Sequence, residues 1–386
     1  MVALLAMVIL VGMGQYMGER FLPKYLMELG AGVMIVGVLG AMNNLLGAVY
    51  ALPGGYLSDR IGHKRALLTF NLAAICGYLL VIIFPSWPVV LVAATLFLSW
   101  SVLSLPATMD LVADVLPRTK WAMGVSLHSL VRRIPMALGP ICGGLLIAKL
   151  GIISGIRLSF VLAIVLALVA IVLQQRLMPT ATRKEEIPSH PILLWRRFAP
   201  PLRRLLAADL LVRFCEQIPY PFVVLWVMDI ARFSATDFGF LCAIEMATAM
   251  AIYIPVASWS DRMDRKPFIL ATFVFFSAFP LVLMFSKSWW MLVLAFVIRG
   301  LKEFGEPTRK ALIVELVPQD ARASSYGLYY LIRDSVVSVA SLMGGVFWNI
   351  SPRINLIAAF AFGALGALYF ALCDRTEHGQ GKKSAT

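Results

Sequence analysis

Gly54-Gly55-Tyr56-Leu57-Ser58-Asp59-Arg60-Ile61-Gly62-His63-Lys64-Arg65 lies between two long apolar segments, and a weaker copy, Ser258-Trp259-Ser260-Asp261-Arg262-Met263-Asp264-Arg265-Lys266, follows about two hundred residues later. A basic loop opened by an Asp-Arg pair, used twice between apolar runs, points to a duplicated membrane protein. A duplication must hold its offset at many places. Lys64-Arg65 and Arg265-Lys266 differ by 201 positions, and so do Asp114 and Glu315, Pro117 and Pro318, Arg132 and Arg333, and Gly143-Gly144 and Gly344-Gly345. Asp59 and Asp261 differ by 202, a one-residue slip inside a loop.

Composition sets the solvent. Of 386 residues, 60% are hydrophobic and only 14% charged, and the mean hydropathy is +0.83; a water-soluble globule of this length does not look like this. Apolar segments near the roughly 20 residues that cross about 30 Å of hydrocarbon read at 2–26, 32–56, 66–84, 88–112, 122–148, 157–175, 205–229, 234–258, 268–285, 289–312, 323–349 and 354–373. These are twelve spans, six per half. The expected architecture is an all-α membrane protein of two pseudo-symmetric six-helix bundles, 1–175 and 205–375, joined by a cytoplasmic linker at 176–204 and ending in a tail at 376–386. The linker is polar and holds Pro188 and Pro191. Its Ile192 to Phe198 mixes apolar and basic residues and fits a short amphipathic helix on the inner leaflet. The first segment lacks the basic leader and exit site of a cleaved signal peptide, so it reads as a span whose short cytoplasmic leader is missing or was never there.

A net charge of +13 raises nucleic acid as a partner, and its location argues against it. With the first span leaving the cytoplasm, twenty-one Lys and Arg fall on the inner side, Arg309 and Lys310 among them, and six on the outer side. That bias places both termini in the cytoplasm, with the excess cations facing anionic lipid, and a bacterial inner membrane fits it. The five cysteines sit in or at the ends of apolar runs with no CxxC and no histidine at ligand spacing, so neither metal nor disulfide is expected. No Ser-His-Asp set, HExxH or P-loop is present, and of four histidines only His128 lies in a span. Neither an enzyme nor an ATP-driven pump is indicated.

The motif Gly55-x-x-x-Asp59-Arg60-x-Gly62-x-Lys64-Arg65, placed after the second of twelve spans, resembles motif A of the major facilitator superfamily, with His63 in place of a usual basic residue. Gly139-Pro140-Ile141-Cys142-Gly143-Gly144 is similar to the end of motif C of that superfamily's proton-coupled exporters, although Pro135 stands where the motif has glycine. Glu19-Arg20-Phe21 is similar to the core of the peptide-transporter signature, with Gln15 for its leading glutamate. The resemblance implies secondary transport by alternating access, with spans one, five, seven and eleven around a central cavity.

In the two basic loops, Gly55, Asp59, Arg60, Gly62, Lys64 and Arg65, with Asp261, Arg262, Arg265 and Lys266, read as a latch. Asp59 can meet the positive end of a helix, and the cations can bond carboxylates or helix C-termini, holding the inner side shut; anchoring to phospholipid is the plainer role. Pro135, Gly139, Pro140, Gly143 and Gly144 permit close helix approach and a bend.

Charges at membrane depth are the sharpest functional signal, since each costs at least about 2.5–3.5 kcal/mol at the bilayer centre. They are Glu19 and Arg20 in span one, Arg132 and Arg133 in span five, and Asp209, Arg213 and Glu216 in span seven. Glu245 follows in span eight, Arg299, Lys302, Glu303 and Glu306 in span ten, and Arg333 and Asp334 in span eleven. Asp209 with Arg213 reads as a structural pair near the inner interface, and Lys302 and Glu306 as interface residues or latch partners. Glu216 and Glu245 lack an obvious local partner and read as proton carriers. Arg132 and Arg333 match across the repeat, and Glu19 and Glu216 each precede a proline, Pro23 and Pro219, which suggests a symmetric midplane site. Membrane acids and the motif C likeness point to proton-coupled efflux of small amphiphilic molecules. Paired arginines point instead to an organic anion, amino acid derivative or peptide; a receptor without flux is a further alternative. The expected partners are a small-molecule substrate, protons and lipids, with no cofactor, and a monomer is the expected functional unit.

Overall fold

A computed structural model describes residues 2–98, 100, 121–177, 195–260, 263–318 and 322–373. Every regular element among them is helical, as lipid requires where backbone groups find no water. The helices are α1 (Val2–Glu19), α2 (Leu22–Glu28), α3 (Val33–Ile61), α4 (His63–Ile83), α5 (Trp87–Phe97), α6 (Trp121–Leu150) and α7 (Ile152–Leu177). They continue as α8 (Pro200–Gln217), α9 (Ala235–Ser260), α10 (Arg265–Phe285), α11 (Trp289–Leu301), α12 (Glu306–Leu316), α13 (Arg322–Ile350) and α14 (Pro352–Cys373). Nine spans among the described residues are long and apolar enough to cross a membrane.

Three expected spans are broken, each where proline or glycine interrupts the backbone ladder. The segment 2–26 divides at Arg20 and Phe21, with Pro23 opening α2. The segment 205–229 leaves α-helix after Gln217, ahead of Pro219 and Pro221, and proceeds through a three-ten turn at Tyr220–Phe222 to a π turn at Trp226–Ile230. The segment 289–312 divides between Leu301 and Glu306, where Gly305 precedes α12 and Pro307 lies in its first turn. Within 195–198 only a single three-ten turn forms, so the amphipathic helix expected over Ile192 to Phe198 is reduced to that turn among the described residues.

Contacts group the chain into two compact units, Met1–Ile187 with Phe222–Met246, and Pro188–Pro221 with Ala247–Thr386. In the first, α1 lies against α6 and α7, and α4 against α5 and α7. Between helices in lipid there is little hydrophobic drive, so close backbone approach and polar contacts hold them together. Gly143 shows the approach: a Cβ there would stand 2.0 Å from the Met17 carbonyl oxygen. Tyr78 stacks on Phe160 with ring centroids 5.2 Å apart. A buried polar knot ties α4 to α7, with Asn71 Nδ2 donating to Gln174 Oε1 at 3.1 Å and Trp100 Nε1 donating to Asn71 Oδ1 at 2.7 Å.

In the second unit α8 packs on α13 and α14, and α10 on α11 and α14. Phe198, Leu202, Leu205, Leu206, Ile313 and Tyr329 share one core, and Val212, Ile269 and Phe273 another. The break ahead of α12 is pinned by α10. The Gly305 N–H donates to Thr272 Oγ1 at 2.5 Å, and a Cβ on Gly305 would meet the Phe268 carbonyl oxygen at 2.3 Å. Only glycine fits this backbone approach, which sets where Lys302 and Glu306 point.

Candidate functional site

Asp209, Arg213 and Glu216 recur at helical spacing along one face of α8. Lys302 and Glu303 lie in the break after α11, Glu306 and Arg309 open α12, and Tyr329, Tyr330, Arg333 and Asp334 lie on α13. In the second unit these groups form one network. Arg309, its side chain 1% exposed, forks onto Glu306 with Nη2 to Oε1 at 2.7 Å and Nε to Oε2 at 3.0 Å, and its Nη1 donates to Asp209, also 1% exposed. The Tyr329 hydroxyl donates to the same Asp209 oxygen at 3.1 Å. Arg213 donates to Glu216 at 2.7 Å and reaches Glu306 at 3.4 Å, while Lys302 Nζ donates to Glu216 Oε1 at 2.8 Å. Arg333 pairs with Asp334 at 2.7 Å, stands 3.7 Å from Asp209, and stacks 4.2 Å from the Tyr330 ring centre.

Four acids thus face four bases, with Lys310, 44% exposed, 3.7 Å from Glu306 at the edge. Each of these charges is costly alone at this depth, and pairing offsets the cost only if none is left over. The two ends differ. Asp209, Arg309 and Tyr329 form a dry, interlocked end. Glu216 and Lys302, each 11% exposed, border a small cavity with room for about one water molecule, lined with Phe275, Phe276, Phe279 and Arg299. Arg299 is buried with its guanidinium 5.3 Å from the Tyr220 ring centre and 5.0 and 5.6 Å from those of Phe279 and Phe296. Among the described residues no group of three or more His, Cys, Asp or Glu is placed to hold a metal.

The structure therefore joins Arg213, Glu216, Arg333 and Asp334, with Arg299 across the cavity from Glu216. Glu303 sits partly buried in the break beside them. Glu216, expected to lack a local partner, has Arg213 three residues before it. Asp209, Lys302, Glu306 and Arg309, assigned from sequence to interfaces and loops, are inside the network. Tyr329 was not anticipated, although Tyr326, Tyr329, Tyr330 and Arg333 follow a helical period that carries the signal.

Apart from the second basic loop, the remaining candidates lie in the first unit. Glu19 accepts from Gln15 Nε2 at 2.8 Å, with Arg20 next to it at the break. Arg132 and Arg133 are half-buried on α6, and Glu245 is buried on α9. Pro135 and Pro140 lie inside α6. Gly139 packs against Tyr16, and Gly144 faces the Ala235 backbone. At the motif loop Gly62 has φ +82°, a left-handed conformation suited to glycine. Lys64 Nζ donates to the Gln175 carbonyl near the C-terminal end of α7 at 2.7 Å, and Gln174 Nε2 donates to the Lys64 carbonyl at 2.6 Å. Arg65 is exposed. The surroundings of Gly55 and the side chains of Asp59 and Arg60 lie outside what is described, as do Asp261, Arg262, most of the linker and the tail. In the second copy Arg265 pairs with Glu315, and the Lys266 N–H donates to the Asp264 cap at 3.2 Å.

A family model described as Major Facilitator Superfamily matches residues 4–212 and 205–386. An uncharacterised MFS-type transporter of Methanocaldococcus jannaschii is 22% identical over 362 residues, 91% of this chain and 88% of the relative. The tetracycline resistance protein, class C, of Escherichia coli is 24% identical over 343 residues, 83% of this chain and 85% of the relative. In fold, the chain is similar to the crystal structure of a POT family transporter in complex with 5-aminolevulinic acid, with a TM-score of 0.79 at 11% identity over 96% of this chain and 94% of that one.

Proposed function

We propose, from the premise that the chain belongs to the Major Facilitator Superfamily, that this integral multi-pass membrane protein is a proton-coupled secondary transporter exporting small amphiphilic molecules by alternating access. One observation carries the proposal: Glu216 is bridged between Arg213 and Lys302 at the edge of an aromatic cavity. A proton reaching Glu216 removes the charge that holds Arg213 and Lys302 together, so protonation loosens the Lys302 contact. The freed cation then reorganises the cavity, which ties the proton to the substrate. The relative named for tetracycline resistance supports the outward direction, and the positive-inside bias supports cytoplasmic termini in a bacterial inner membrane.

A second reading has its own observation. Arg299 and Lys302 both line the cavity, and a guanidinium beside an ammonium suits an organic anion, amino acid derivative or peptide. Purified protein in liposomes with an imposed pH gradient, screened with cationic dyes, organic anions and small peptides, tests both. Gradient-dependent flux is expected for one class, and that class selects the reading. Flux that ignores the gradient overturns proton coupling, and binding without flux for every class would make the protein a receptor.

A further inference from the structure

The segment ahead of α8 has a chemistry that the transport path does not use. Trp195 to Arg197 form a three-ten turn, closed by the Phe198 N–H donating to the Trp195 carbonyl at 3.2 Å. Phe198 is 2% exposed and packs with Leu202, Leu205, Ile313 and Tyr329, so the turn is anchored to the helix core. Trp195 keeps an exposed indole, 5.4 Å from the Phe198 ring centre. Arg203 lies over that indole at 5.6 Å and donates to the Arg196 carbonyl at 3.1 Å. Arg196, Arg197, Arg203 and Arg204 are all exposed. No Asp or Glu occurs from Pro191 to Ala208.

We propose that this patch binds the head-group phosphate of an anionic phospholipid in the leaflet where α8 begins. An indole seats itself at the boundary between hydrocarbon and water. Four or more Lys or Arg beside the end of a span attract anionic head groups, and a guanidinium fork matches the paired oxygens of a phosphodiester better than an ammonium does. The position argues for a lipid rather than a soluble polyanion, because the apolar run from Leu205 starts directly after Arg204. The anchor also links the patch to the charge network. Phe198 shares its core with Tyr329, which donates to Asp209, so a lipid held here steadies the helix that carries Glu216. None of this depends on proton coupling or on the substrate.

The test uses the full chain in phosphatidylcholine nanodiscs containing a small fraction of phosphatidylglycerol, with bromine on the acyl chains of one lipid or the other at equal mole fraction. The chain has nine tryptophans, so the Trp195 signal is the difference between wild type and Trp195→Phe. Brominated phosphatidylglycerol should quench that signal about threefold more than brominated phosphatidylcholine. Raising ionic strength to about 1 M, where the screening length falls to about 3 Å, should shrink the preference. The triple variant R196Q/R197Q/R204Q should abolish it, and the charge-matched triple K149Q/K287Q/R353Q should retain it. Equal quenching by both lipids in wild type, a preference that survives the arginine triple, or one lost equally in the matched triple overturns the proposal. If the arginine triple does not fold, the salt titration on wild type decides: a preference unchanged by salt refutes the site.

Discussion

Replacing Arg309 by Met separates the two ends of the charge network. The substitution keeps an unbranched apolar stem without the guanidinium head, and removes one bidentate contact to Glu306 and one contact to Asp209. Two carboxylates then share a dry site, helped by Arg213, 3.4 Å from Glu306 and 3.9 Å from Asp209, by Arg333, 3.7 Å from Asp209, and by the half-exposed Lys310, 3.7 Å from Glu306. Breaking a buried pair costs about 3–5 kcal/mol, and the two remaining arginines put the expected loss near the lower limit, about 3 kcal/mol. For a cooperative unit of this size each kcal/mol moves the thermal midpoint by about 2–4 °C, so Arg309→Met should melt about 6–12 °C lower. Unfolding in detergent can be followed with a thiol-reactive dye, because Cys215 is fully buried in the folded protein. The double variant Arg309→Met with Asp209→Leu restores the balance of acids and bases and should recover more than half of the loss. A midpoint for Arg309→Met within about 2 °C of wild type, or a double variant as unstable as the sum of the singles, refutes a structural role for this end.

Three other substitutions reach different parts of the molecule. Gly143→Val forces a side chain against the Met17 carbonyl and should lower the midpoint through about 1–3 kcal/mol of overpacking; an unchanged midpoint would mean that α1 and α6 separate freely. Arg132→Ala and Arg333→Ala should each weaken binding of an anionic substrate by more than about 2 kcal/mol, roughly thirtyfold, with Lys restoring it only in part; measured on a lipophilic cation, unchanged or tighter binding selects the amphiphile reading. Asp59→Asn should raise cysteine accessibility from the cytoplasmic side if the motif loop is a latch, and unchanged accessibility with transport intact returns the loop to lipid anchoring.

Hydropathy and the 201-residue offset made the helical membrane fold legible, because span length and duplication are properties of the chain alone. Window averages could not register the breaks in spans one, seven and ten. Pro23, Pro219 and Pro307 were visible, but whether a proline bends or ends a helix depends on what satisfies the freed backbone groups, such as Thr272 beside Gly305. The charges were legible as charges and their partners were not. Arg309 counted as a loop cation because its acids are Asp209, a hundred residues earlier, and Glu306, which read as an interface residue or latch partner. The symmetry of Arg132 with Arg333 was visible at once, yet the contacts that define Arg333, to Asp334, Asp209 and Tyr330, come from its own half. Arginine pairs far apart in sequence are tertiary facts, and no spacing rule reaches them.

Glu216→Gln in proteoliposomes tests proton coupling most directly. Glutamine keeps the shape and one acceptor oxygen for Lys302 but cannot gain or lose the proton. With the same protein, substrate and lipid, accumulation driven by a pH gradient and exchange of labelled for unlabelled substrate without a gradient are measured side by side. The expected result is loss of gradient-driven accumulation with exchange retained. Full gradient-driven accumulation in Glu216→Gln would contradict the role assigned to the Arg213–Glu216–Lys302 bridge.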